Sequence, residues 1–344
     1  MTGDADRCMK CGSCMRACPV LGQVGEGVFP GPRSLAVEGV RESRVPRRAM
    51  DELLLCSVCH ACEEACPVRI GLPEAILHLR ELSRGGQALR PGHARMVQNI
   101  DRYRLSVEPA GGPVPRSDAT SRTCYFPGCI ARHRLPAVSA SALQLLALFG
   151  PAAASPDDLT CCGSPLQKIG DKDRMNGLRE ENLARLESYE SIVASCPGCT
   201  AQLGSYGLDV MHMVEYLYEV AGVTRIASMA RPKKVKIAVH HPCHLNRLVG
   251  PHTRDYMVQI LQALPGVKLV EYGDEERCCG AGGSLLSGFP EVADAMGREK
   301  CTSALRAGAD LIVTACPFCI INLGRSGSIG VQDLGQLVLS SLER

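Results

Sequence analysis

The chain contains no tryptophan, and aromatic residues make up only 4% of it, so the stacking platforms of a nucleic-acid binder are missing. Its 38 basic and 36 acidic side chains leave a formal net charge of +2, which is no basic footprint for a polyanion. Long apolar runs are absent too. The most apolar stretch, Ala140 to Ala154, is interrupted by Ser141, Gln144, Gly150 and Pro151 and is too short and broken to span a bilayer. No charged n-region followed by an apolar h-region opens the chain, because Cys8 comes almost at once. This argues against a secretory leader and for a reducing compartment, the cytoplasm by default.

What the chain has in quantity is cysteine, twenty in 344 residues. With 45% apolar content it can bury a core of two or three domains without disulfides, which leaves the thiols for chemistry. Cys161-Cys162-Gly163 is followed by Cys196-Pro197-Gly198-Cys199, and Cys278-Cys279-Gly280 by Cys316-Pro317-Phe318-Cys319. Each pair also has a lone cysteine upstream, Cys129 and Cys243. Five thiolates converging twice exceed what tetrahedral zinc can use, so a multinuclear iron–sulfur site is the better reading of each set.

A second cysteine system precedes these sets. Cys8-x2-Cys11-x2-Cys14-x3-Cys18-Pro19 recurs as Cys56-x2-Cys59-x2-Cys62-x3-Cys66-Pro67, the run that holds cubane [4Fe–4S] clusters. By the crossing rule for two-cluster ferredoxins, Cys8, Cys11, Cys14 and Cys66 would hold one cluster, and Cys56, Cys59, Cys62 and Cys18 the other. Eight cysteines in these runs and ten in the paired sets leave two of the twenty, Cys124 and Cys301. Cys124 competes with Cys129 as a ligand, but Cys129 and Cys243 share a place at the end of an expected strand.

The segment between the two ferredoxin-type runs is rich in Gly and Pro from Gly22 to Pro32, then helix-like from Arg33 to Leu55 with a break at Pro46. Without alternating strand patterns, it favours an α-helical ferredoxin domain. Ile76 to Asp101 reads as further helix, and Glu108 to Ser121, with Pro109, Gly111, Gly112, Pro113 and Pro115, reads as a linker. Arg41, Arg44, Arg47 and Arg48 read as a solvated helix face.

Beyond the linker the sequence repeats itself. Ser191 to Cys199 answers Leu311 to Cys319, and Leu203-Gly204 answers Leu323-Gly324, at one offset of 120 residues. Tyr125 to Cys129 likewise parallels His240 to Cys243. Each half reads strand, Cys, helix, a weaker strand signal, CCG, helix, strand, CxxC, helix. The β-branched runs before each CxxC suit strands of a parallel sheet buried on both faces. In such sheets ligands gather beyond the carboxyl ends of the strands, where Cys129, Cys196, Cys243 and Cys316 would all sit. The expected fold is α+β and multidomain: an α-helical ferredoxin domain (1–105), a linker (106–121), and two pseudo-symmetric α/β lobes (122–230 and 231–344) facing each other. Gly163 and Gly280 would let the backbone turn tightly against a cluster, with Gly282 and Gly283 adding to the crowding.

The pattern C-x31-CCG-x32-CPGC followed by C-x34-CCG-x35-CPFC, preceded by the two ferredoxin-type runs and Phe29-Pro30-Gly31-Pro32-Arg33, resembles the D-type catalytic iron–sulfur polypeptide of CoB–CoM heterodisulfide reductase, an enzyme of methanogenesis. That polypeptide looks like a fusion of two chains that also occur separately, a C-type ferredoxin chain and a B-type chain with the doubled CCG domain. The resemblance implies two non-cubane [4Fe–4S] clusters, one on Cys129, Cys161, Cys162, Cys196 and Cys199 and one on Cys243, Cys278, Cys279, Cys316 and Cys319. A small-molecule disulfide would be cleaved between them with electrons relayed through the two cubanes. It also implies a redox partner, either a membrane b-type cytochrome or a soluble flavoprotein, and hence a place in the cytoplasm or peripherally on the inner face of the membrane.

Splitting RS–SR′ takes two electrons, which two one-electron centres flanking the bond can supply without a protein nucleophile. His240, His241 and His244 around Cys243 are candidates for proton donation or hydrogen bonds to cluster sulfur. Arg132, Arg134, Lys168 and Arg247 are candidate contacts for an anionic substrate. His241 stands where relatives often carry an acidic residue, and that departure bears on the substrate. A competing expectation is a pure electron-transfer protein, like the iron–sulfur components of glycerol-3-phosphate, glycolate or lactate dehydrogenase complexes. Relatives of that kind have often lost ligands from one set, whereas both sets here are complete.

Overall fold

In the computed structural model the described residues are 5–38, 49–85, 88–110, 118 and 120–342. The basic run at Arg41, Arg44, Arg47 and Arg48 lies outside them, as do residues 111–117 and 119 of the expected linker.

Before residue 123 the described residues form helices and turns and no strand. The stretch expected as one helix over Ile76 to Asp101 is two. The first, α1 (Leu72–Ser83), is followed by non-helical residues at 84–85 and 88–90, and α2 (Pro91–Tyr103) starts with Pro91 in its first turn, where a missing N–H costs nothing.

The rest of the chain carries two parallel sheets. The first has strands β1 (Thr123–Phe126), β2 (Ser191–Ala194) and β3 (Val210–His212) in the order β1-β2-β3, and the second has β4 (Val235–Val239), β5 (Val267–Val270), β6 (Leu311–Thr314) and β7 (Gly330–Asp333) in the order β5-β4-β6-β7. The registers match across the repeat: Tyr125 and Cys124 pair with Val193 and Ile192, as Val239 and Ala238 pair with Val313 and Ile312. The weaker strand signal before each CCG gives β5 in the second lobe, but in the first only an isolated bridge between Cys124 and Ala154. The last strand of each lobe, β3 and β7, has no counterpart in the sequence pattern.

Both faces of each sheet are covered, which explains the continuous apolar runs. Tyr125, Val193, Ile237, Val239 and Val313 point into a core that the two lobes share with Leu145, Leu146, Leu337 and Val338 from flanking helices. The opposite faces, Cys124, Phe126, Ile192 and Ala194 in one lobe and Ala238 and Ile312 in the other, pack into separate clusters. Cys124 lies within β1 in the first of these, where burial pushes its thiol up to about 12. Cys301 is likewise fully buried, near the Leu323 carbonyl.

The N-terminal helices do not stand apart from the lobes. One apolar core runs from Phe29, Leu53, Ile76 and Ile100 to Leu166 and Leu178 of the first lobe and Leu285 and Phe289 of the second. The chain leaving α2 also passes against the first lobe: the Arg104 carbonyl accepts from the Cys161 N–H at 2.8 Å, and the Ser106 N–H points at Cys129 Sγ at 3.5 Å.

Candidate metal centres

In both ferredoxin-type runs the residues flanking the second cysteine adopt positive φ: Lys10 and Gly12 around Cys11, Val58 and His60 around Cys59. Left-handed backbone at a β-branched valine (φ 50°) is strained and persists only where the surroundings impose it. What it does here is turn amide N–H groups inward as an anion-binding nest; the Val58 N–H donates to Cys56 Sγ at 3.4 Å.

Cys8, Cys11, Cys14 and Cys66 line one hollow with Arg33, Val37, Ile70 and Leu72. Cys11 is exposed and Cys8 half-buried, so this quartet reaches the surface. Of the other four, Cys56, Cys59 and Cys62 are buried and Cys18 is half-buried. Burial pushes the Cys18 and Cys62 thiols up, and neighbouring Cys56 and Cys59 add to the effect. The two quartets are therefore an outer group of Cys8, Cys11, Cys14 and Cys66 and an inner group of Cys18, Cys56, Cys59 and Cys62.

Each lobe assembles its five thiols at the carboxyl ends of its strands in one pattern. Cys129 follows β1 and meets Cys161; Cys162 meets Cys199, which meets Cys196 after β2. In the second lobe Cys243 Sγ lies 3.8 Å from Cys278 Sγ, Cys279 Sγ lies 3.3 Å from Cys319 Sγ, and Cys319 meets Cys316 after β6. Each CxxC opens a helix, α3 (Pro197–Gly204) and α4 (Pro317–Gly324), with a proline at its start, so free amide N–H groups face the sulfurs. Hydrogen bonds from Cys161 and Cys199 push the Cys162 thiol down to about 6, and those from Cys278 and Cys319 hold Cys279 low in the same way.

Two contacts join the groups. Cys196 hydrogen-bonds Cys316 across the lobes, and Cys59 of the inner quartet hydrogen-bonds Cys278 of the second lobe. All twenty cysteines are free thiols. Two sets of four and two of five soft donors, with amides aimed at sulfur, fit iron–sulfur clusters rather than disulfides or hard metals.

A cavity of about 310 Å³ opens between the lobes, lined by nine of the ten cysteines of the two sets together with Met96, Ile130 and Phe318. Of the four cations singled out in the sequence, Lys168 and Arg134 line it. Arg132 instead pairs with Asp157 and the Pro156 carbonyl, and Arg247 with Glu64 and the Cys59 carbonyl. Arg95 of α2 also lines the cavity; the sequence does not single it out, because α2 reads only as generic helix. No carboxylate lines the cavity among the described residues.

His240 is fully buried within 4.8 Å of the Cys279 and Cys319 sulfurs, with Nδ1 3.2 Å from the Glu275 carbonyl. His244 lines the cavity and bonds the Val58 carbonyl at 3.0 Å. Burial holds His240 well below its ordinary pKa, His241 near 4 and His244 near 3. All three rings are neutral around pH 7.

Gly163 and Gly280 sit at φ +89° and +93°, and a Cβ there would also meet Tyr206 Oη at 2.6 Å or Ala293 Cα at 3.1 Å. The same neighbourhoods hold residues that sequence reasoning misses: Tyr206 Oη donates to the Cys162 carbonyl at 2.9 Å, and Asn322 Nδ2 to the Cys279 carbonyl at 2.6 Å. The available signal for Asn322 is an amide three residues past the last cysteine in an otherwise apolar helix.

Two family models match the chain. The Cysteine-rich domain matches residues 123–204 and 237–324, and the 4Fe-4S dicluster domain residues 4–70. The chain is 31% identical to the B polypeptide of the fumarate reductase (CoM/CoB) of Methanothermobacter marburgensis, over 98% of this chain and 71% of that one. It is 27% identical to the D polypeptide of the dihydromethanophenazine:CoB–CoM heterodisulfide reductase of Methanosarcina barkeri, over 98% and 94%. The chain belongs to this family of iron–sulfur reductase components. It is an iron–sulfur electron-transfer protein, with the ferredoxin part and the doubled cysteine-rich part of the family in one polypeptide. A crystal structure of a hypothetical protein from Helicobacter pylori has the same fold, with a TM-score of 0.62 at 12% identity, covering 100% of this chain and 73% of that one.

Proposed function

We propose that the chain relays electrons from the outer cysteine quartet to the inner one, then through Cys59 and Cys278 to the second lobe, and reduces an anionic disulfide between the lobes. On this reading the quartets hold two cubane clusters and the five-cysteine sets two non-cubane clusters. The observation that carries it is the cavity: both five-cysteine sets face it, and its ionic lining is Arg95, Arg134 and Lys168 with no carboxylate. Clusters held there supply single electrons, and cleaving RS–SR′ to two thiols consumes two, with two protons from solvent. The chain's own part is positional. The cations orient acidic groups at the ends of the substrate, while Met96, Ile130 and Phe318 keep water from the central bond. Exposed Cys11 marks the face where a redox partner would dock. Among the described residues no helix is long and apolar enough to cross a membrane.

A second reading, in which two thiols are oxidised and electrons leave through the quartets, is favoured by the likeness to a fumarate reductase component whose name carries the same two coenzymes.

The test is anaerobically purified protein carrying Cys162→Ala or Cys279→Ala, assayed with reduced viologen and the CoM–CoB disulfide. Both variants should lose turnover by at least about a hundredfold, as for loss of ligands at a redox metal site, while the EPR signals of both quartets remain. Wild-type protein should carry about sixteen iron atoms per chain. Undiminished turnover in both variants would remove the cavity from the reaction.

A further inference from the structure

Arg80, in the last third of α1, is fully buried. Its guanidinium makes five hydrogen bonds, all to main-chain carbonyls: Nε and Nη2 to Leu53 at 3.1 and 2.6 Å, Nη2 to Cys56 at 2.6 Å, and Nη1 to Lys168 at 2.6 Å and Gly283 at 3.2 Å. One side chain thus ties the segment that carries the inner quartet to the first lobe at Lys168 and to the second at Gly283.

These carbonyls solvate the guanidinium but do not cancel its charge. Among the described residues no carboxylate pairs with Arg80, and the groups that face it make the position worse. Lys168, itself buried, is a second cation, and neutral His93 is held low partly by Arg80. The one group of acidic type that acts on it is the Cys56 thiol. A buried guanidinium without a counter-ion is expensive. Glu74 acts on Lys168 but not on Arg80, so the guanidinium charge stays unbalanced unless negative charge resides at Cys56 and its neighbours.

We propose that Arg80 is the internal counter-charge of the cluster bound by Cys18, Cys56, Cys59 and Cys62, and that it keeps that cluster's reduction potential above that of the outer one. The inference rests on the cluster assignment under Proposed function and goes beyond it. A fixed positive charge in a dry interior stabilises an added electron far more than the same charge in water. The cations beside the outer quartet, Lys10, Arg16 and Arg33, are exposed or half-exposed, where solvent and salt screen them. An electron leaving the outer cluster is therefore gained by the inner one downhill, and Arg80 stays protonated throughout.

The test is a potentiometric EPR titration of the full chain, purified anaerobically, for wild type, Arg80→Gln and Arg80→Lys. Cys11→Ser identifies the outer signal. The position of α1 does not depend on the guanidinium alone, because Gly170 packs against the Arg80 main chain, where a Cβ would come within 2.5 Å. In Arg80→Gln the inner cluster's reduced-to-oxidised ratio at fixed potential should fall at least tenfold, about 59 mV for a one-electron couple, with the outer midpoint unmoved. Arg80→Lys keeps the charge and should keep the inner midpoint. An unshifted inner midpoint in Arg80→Gln, or a tenfold fall in Arg80→Lys, overturns the proposal while leaving the cluster assignment standing. A wild-type protein without two distinct cubane signals overturns both. If Arg80→Gln does not accumulate, the Arg80→Lys midpoint decides.

Discussion

Gly283 of the second lobe packs against the main chain of Ser57, between Cys56 and Cys59 of the inner quartet, and replacing it with alanine tests the interdomain geometry. Its φ is +64°, and a Cβ there would lie 2.4 Å from the Ser57 carbonyl carbon, 2.5 Å from its oxygen and 2.6 Å from its Cα. These are main-chain atoms between Cys56 and Cys59, so no rotamer change relieves the clash. Gly207 is the control, with φ +90° and nothing within 4 Å of its Cβ position. Gly207→Ala should cost only the left-handed strain, about 1–2 kcal/mol. Gly283→Ala should cost that plus overpacking of about 1–3 kcal/mol, about 2–5 kcal/mol in all. The strain is relieved by moving the Ser57 segment, which draws Cys59 away from Cys278 and slows reduction of the second lobe. Anaerobic urea unfolding of both variants gives the first quantity, and stopped-flow reduction of the second-lobe signal under limiting donor gives the second. Gly283→Ala within about 0.5 kcal/mol of Gly207→Ala, the scale of an ordinary surface change, would refute the close approach of the two parts.

Lys168→Gln should raise KM for an anionic disulfide about tenfold, as for loss of one charge-assisted hydrogen bond, and leave an uncharged disulfide unaffected; equal effects on both would show that Lys168 does not bind the substrate's charge. Asp333, which caps the helix after β7 through the Gly335 and Gln336 N–H groups, is pushed up to about 7 by burial. Its folded pKa is above its unfolded value of about 3.9, so the fold binds the extra proton, and stability falls as pH rises from about 4 to about 7. Asp333→Asn should flatten that slope and raise the melting temperature at pH 7.5 but not at pH 4; equal melting shifts at both pH values would place the cost elsewhere.

The chemistry of the chain was legible in the sequence because cluster ligation is local. A CxxCxxCxxxCP run brings its first three donors together within a few turns of backbone, and the 120-residue offset between Cys196 and Cys316 declares two lobes before any coordinate is known. The helical character of the N-terminal part, the β-branched strands before each CxxC and the cysteines at strand ends follow from patterns of the same short range. The rest depends on contacts across long separations. Arg80 looks like any arginine on a helix until folding places it beneath Leu53, Lys168 and Gly283. Arg95 belongs to the cavity only because α2 packs against both lobes, and Arg132 and Arg247 are lost to it because Asp157 and Glu64 reach them first. The strands β3 and β7 are three or four residues long and partly exposed, too short for periodicity to reveal, and only pairing with β2 and β6 makes them strands. The link from Cys59 to Cys278 spans more than half the chain, and it exists because Gly282 and Gly283 lack the side chains that would hold the two parts apart.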